Sequence, residues 1–96
     1  MVRDGLSVKL RGASLGDTNA VLREVERHRG EHSVRLEVYR GIERRDFPEP
    51  RKLAGRELHQ YLVLRGGIRA EESFVAWCDE VLEALSDKSQ RSERIR

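Results

Sequence analysis

The sequence predicts an α+β fold. Three observations predict it: two stretches alternate apolar and polar residues as a half-wetted strand does, a third carries a continuous apolar run, and a C-terminal segment repeats its apolar residues at helical spacing. A chain of 96 residues is one domain in length, expected over 1–87, with 88–96 as a flexible charged tail that has almost nothing to bury.

Leu6, Val8 and Leu10 alternate with Ser7, Lys9 and Arg11, which predicts the first strand, and Gly12 and Gly16 bracket a turn. Asp17 is placed to cap a helix over 18–29, with Val21, Leu22 and Val25 on one side and Gly30 as its stop. Over 33–40 the alternation returns: Val34, Leu36 and Val38 share one face, Arg35, Glu37 and Tyr39 the other. Residues 41–55 hold both prolines, Pro48 and Pro50, and no apolar period, so a long exposed loop is expected there. A further strand is expected over 57–65, where the run Tyr61 to Leu64 suggests burial on both faces and Gly66-Gly67 ends it. Glu71 and Glu72 suit the first turn of a last helix, and Phe74, Cys78, Val81, Leu82 and Leu85 follow as a stripe that packs on the sheet. The expected core is therefore Val34, Leu36, Val38, Leu62, Leu64, Phe74, Trp77, Cys78, Val81, Leu82 and Leu85.

Hydrophobic and charged residues each make up 38% of the chain, too apolar for a disordered chain and rich in surface charge. The net charge is only +2, which gives no long-range field to draw in a polyanion. A single cysteine excludes an internal disulfide and a multi-cysteine metal site and fits a reducing compartment. Neither a signal peptide nor a membrane span is expected, because no apolar run backs the N-terminal charges and none reaches 18 residues.

Searches for chemistry return little. His28 and His32 are four apart, a spacing that would share one helix face if a helix passed through Gly30, but no further ligand accompanies them, nor does one accompany His59. Cys78 falls on an apolar stripe, where a buried inert thiol is expected rather than a nucleophile. Glu71-Glu72 and Asp79-Glu80 are neighbours along a helix rather than facing carboxylates. No glycine-rich phosphate loop occurs, and the RNA-binding signatures of a clamp loop or an aromatic strand are absent. No catalytic residue, metal or cofactor is expected, and the chain is read as non-enzymatic.

One electrostatic contrast stands out. Glu71, Glu72, Asp79, Glu80, Glu83 and Asp87 lie in a stretch without a basic residue, whereas 40–56 is basic through Arg40, Arg44, Arg45, Arg51, Lys52 and Arg56. Either the two neutralise each other within one molecule or are simply solvated, or they form a heterologous interface between copies that closes into a ring. In the second reading Arg44, Arg45, Arg51 and Lys52 of one copy meet Glu72, Asp79, Glu80 and Glu83 of the next.

The runs Glu37-Val-Tyr-Arg-Gly41, Arg51-Lys-Leu-Ala-Gly55, Tyr61-Leu-Val-Leu-Arg-Gly-Gly-Ile68 and Phe74-Val-Ala-Trp77 resemble, in order and spacing, the inner tail-tube proteins of contractile phage tails and injection systems. Leu22-Arg-Glu-Val25 looks like the stretch that precedes the first of these strands. The sequence departs from that family in Ala54, where a proline is usual, in a charged rather than glycine-rich first loop, and in stopping before the later strands. The resemblance implies an antiparallel β barrel or sandwich with one packed helix, and strand rather than helix over 18–29. It also implies hexameric rings that stack into a tube, with sheath or baseplate proteins as partners, nucleic acid only as lumen cargo, no membrane, and a place in the virion or injection particle after cytoplasmic synthesis. The alternative function is a small non-enzymatic adaptor, binding RNA or protein through the basic loop over 40–56.

Overall fold

The computed structural model describes residues 18–95, with side chains as far as 86. Two helices account for nearly all of it: α1 (Thr18–Asp46) and α2 (Gly55–Ile95). Among the described residues there is no strand, so the expected sheet, and with it the α+β barrel or sandwich, gives way to an all-helical fold. The strand over 6–11, the turn that follows it and the Asp17 cap lie outside the described residues.

The helix expected over 18–29 is present and does not stop at Gly30; it runs on to Asp46, through the stretch read as strand over 33–40. The physical reason lies in the spacing itself. A period of two is also a period of four, so Val34 and Val38 sit one turn apart on a helix, while Leu36 turns about 200° away from each. With Arg, Leu and Glu filling the remaining positions, local propensity favours helix, and one internal glycine costs only about 1 kcal/mol. The run over 57–65 is likewise helical, and Gly66-Gly67 is helix interior rather than a turn. The helical backbone of α2 also continues through the segment read as a tail.

What remains of the long loop is 47–54. Helix α1 ends with the bond from the Phe47 amide to the Glu43 carbonyl, 2.9 Å, just before Pro48 disfavours further helical backbone. Arg44 and Arg45 in its last turn face the negative end of the helix dipole. Pro50–Lys52 form one 3-10 turn, with proline at its first position, where the missing amide hydrogen costs nothing. Leu53 then extends, and Gly55 opens α2 at φ +56°, left-handed backbone that a side chain would strain.

The chain divides into two compact units. In the first, residues 18–30 lie with Trp77 onward, and Val21, Val25 and Cys78 are its buried apolar residues. Arg29 forms an ion pair with Asp79 across it. The second, Glu31–Ala76, is an antiparallel helical pair closed by 47–54, with Leu36, Ile68 and Phe74 buried. On α2 the buried residues recur three or four apart, as an amphipathic seam requires: Ile68, Glu71, Phe74 and Cys78; on α1 Val21, Val25, His32 and Leu36 fall four or seven apart on one face.

Of the expected core, Leu36, Phe74 and Cys78 are buried, and Leu64, Trp77, Val81, Leu82 and Leu85 are partly so. Val34, Val38 and Leu62 are instead 67%, 55% and 56% exposed, because the helical turn carries them away from the seam that buries Leu36 and Ile68.

Candidate interaction surface

The second unit is stitched by polar contacts as much as by apolar ones. His32 and Glu71 are both buried in its seam, where His32 Nδ1 lies 2.5 Å from Glu71 Oε2. A carboxylate only accepts, so Nδ1 carries the proton and donates. Arg35 donates to the other carboxylate oxygen at 3.3 Å, and the His32 ring rests on Phe74 with 4.1 Å between centroids. The carboxylate thus keeps two donors in a place where an unpaired one would be costly. Replacing Glu71 with alanine strips a buried histidine of its acceptor and should lower unfolding stability by about 1–3 kcal/mol. Glutamine at the same place, which keeps an acceptor oxygen, should lose less; urea unfolding of both variants checks the order.

Glu43 is held from α2 by Tyr61, whose hydroxyl donates at 3.3 Å, and by Arg65 at 3.1 Å. Tyr61 also tilts against Phe47, with 5.4 Å between ring centroids. On the other flank of the pair, a recess of about 410 Å³ opens between Tyr39 and Ile42 of α1, Phe47, and Gln60, Val63 and Leu64 of α2. Gly67 closes it, and a Cβ there would stand 3.2 Å from the Tyr39 ring, a tight contact that the absence of a side chain relieves.

Part of the charge contrast seen in the sequence is met within one molecule. Arg40 donates to Glu72 at 3.0 Å and to Glu37 at 3.1 Å, and these bonds, Glu72 first, hold its guanidinium above its ordinary pKa. Asp79 is taken by Arg29, Asp46 by Arg45 and Glu49 by Lys52. Arg44, Arg51, Glu80 and Glu83 are exposed. Exposed pairs of this kind contribute little to stability.

Cys78 is a free, buried thiol, and burial, followed by the neighbouring Asp79 charge, pushes its pKa up. That suppresses the thiolate a nucleophile needs. Helix α1 does pass through Gly30, yet His28 and His32 are not ligands to one site: His28 Nε2 lies 3.4 Å from Glu24 within the first unit, and His32 is committed to Glu71 in the second. Among the described residues no group of three or more His, Cys, Asp or Glu is arranged to hold a metal, and no helix is long and apolar enough to cross a membrane.

The least expected feature is apolar and outward. Val34 and Val38 stand one turn apart on α1, and on α2 Leu62 and Val63 are 56% and 78% exposed. The next outward positions along α2, Gly66, Ala70 and Ser73, are small and exposed, and a Cβ on Gly66 would meet nothing within 4 Å. The helical pair therefore carries large apolar side chains outside its inner seam as well as within it.

A probable transcriptional regulator of Mycobacterium tuberculosis is 57% identical over 83 residues, 86% of this chain, and the chain spans 44% of that regulator's length. The family described as "Virulence activator alpha C-term" matches residues 2–86. These matches, with the absence of strands among the described residues, overturn the tail-tube resemblance. The ring and tube assembly, the sheath and baseplate partners, the lumen cargo and the virion or injection-particle location implied by it fall with it. The motifs behind it were short runs matched for order, and the strands that gave the order meaning are helical turns. A match over nearly the whole chain places it in a family, and this chain belongs to the virulence activator alpha C-terminal family.

Proposed function

We propose that the chain is the non-catalytic, protein-contacting part of a transcriptional regulator, and that it pairs two copies of that regulator through the outward apolar sides of Glu31–Ala76. The observation that carries this reading is the exposure of Val34, Val38 and Leu62 on helices whose inner seam is already occupied. A two-helix unit buries little, and apolar residues on its outer sides gain most when a second pair of helices covers them. A self-complementary, two-fold contact is the commonest way for one patch to be covered, and it closes at two copies. In a regulator it has a direct use, since two DNA-reading parts held a fixed distance apart read two half-sites at once.

DNA contact is assigned to the part of the longer regulator that this chain does not span. Among the described residues Arg29, Arg40 and Arg65 are engaged by the chain's own carboxylates, and the net charge of +2 leaves little to release counterions from a duplex. The chain alone should sediment as a two-copy species at micromolar concentration and show no salt-dependent retention of duplex DNA. A concentration-independent single copy, or DNA binding that weakens steeply with salt, overturns the reading.

A further inference from the structure

We infer that the recess closed by Gly67 is a binding site for a small, uncharged, planar aromatic molecule carrying one amide-like polar group. Its volume, about 410 Å³, lies within the range of small-molecule sites, roughly 300–1,000 Å³. No lining residue is charged, so an ion placed there meets no opposite charge, and the lining suits a neutral ligand. Two of the walls are aromatic, Tyr39 and Phe47, which favour a flat ring in offset or edge-on contact over a bulky aliphatic one. Gln60 is the one side-chain amide in the lining, and an amide offers it a donor and an acceptor together. Glycine at 67 keeps this wall close: a Cβ there would stand 3.2 Å from the Tyr39 ring and push it outward by a few tenths of an ångström. Regulators answer to small molecules by differential binding to their states, and this recess touches α1, α2 and the turn between them, so an occupant bridges all three.

The test uses benzamide as the probe and the benzamidinium cation as its charged counterpart, followed in ¹H–¹⁵N spectra of the whole chain. Benzamide should shift the Gly67 amide and the Gln60 side-chain amide signals together and saturate with a dissociation constant on the order of 1 mM, as expected of so small a ligand. Gln60→Leu, at an exposed position whose change leaves the seam intact, should weaken binding about tenfold, the value of one lost hydrogen-bonded pair. Benzamidinium should give no saturating shift. Equal binding of the cation, no shift at Gly67, or shifts gathered at Val34 and Val38 instead would overturn the site. Binding seen only in a chain carrying Val34→Glu and Val38→Glu would also overturn it, by showing the recess filled by a second copy.

Discussion

Phe74→Ala lowers the free energy of unfolding by about 3–5 kcal/mol, the cost of removing a buried phenyl ring and leaving its space unfilled. Phe74 is 4% exposed and is one of three buried apolar residues in the unit Glu31–Ala76, so few neighbours are available to collapse into the gap. The ring also covers one face of His32, whose contact with Glu71 depends on staying out of water. Domains as a class are stable by about 5–15 kcal/mol, so this one change removes much of what holds the fold. Far-ultraviolet circular dichroism in a urea series measures it. Phe74→Leu, which keeps most of the volume, should cost under about 1.5 kcal/mol, and a similar loss in both variants would mean that the ring is not packed as described.

The second large effect is on association rather than folding. Val34→Glu with Val38→Glu places two carboxylates where the paired copies would exclude water, and glutamate is at least as good a helix former as valine, so the fold of one copy persists. The dissociation constant of the two-copy species should rise at least a hundredfold, about 2.7 kcal/mol, while the circular dichroism spectrum stays helical. A control with Arg44→Ala and Arg51→Ala, exposed cations of the turn region, should leave the mass unchanged. The reverse pattern would return the interface to the basic segment.

The helix over 18–29 and the apolar stripe of the last helix were legible in the sequence because a spacing of three and four is a local signal, whereas the stop read at Gly30 is helix interior. The strands over 33–40 and 57–65 were misread for a local reason too. Val34, Leu36 and Val38 satisfy a period of two, and no alternation that short distinguishes a strand from a helix with apolar residues on two sides. In a helix Leu36 goes inward and the two valines outward, so the pattern that argued for a sheet is the trace of a second apolar surface. The pairing of His32 with Glu71 was hidden because it joins residues far apart in sequence whose types are ordinary on a surface. Gly67 read as a turn signal, whereas its role is to admit the Tyr39 ring from the facing helix, which only the fold reveals. The charge contrast was visible, and one ion pair, Arg40 with Glu72, joins its two stretches within one molecule.

The central claim is that the outward valines meet a second copy. Mixing ¹³C-labelled with unlabelled chain and recording isotope-filtered nuclear Overhauser contacts tests it at the atoms concerned. Contacts from the Val34 and Val38 methyl groups to protons of the unlabelled copy are the predicted result. Their absence in a sample shown to be paired, with contacts arising instead between the acidic stretch after Glu71 and the basic residues of 44–52, would contradict it.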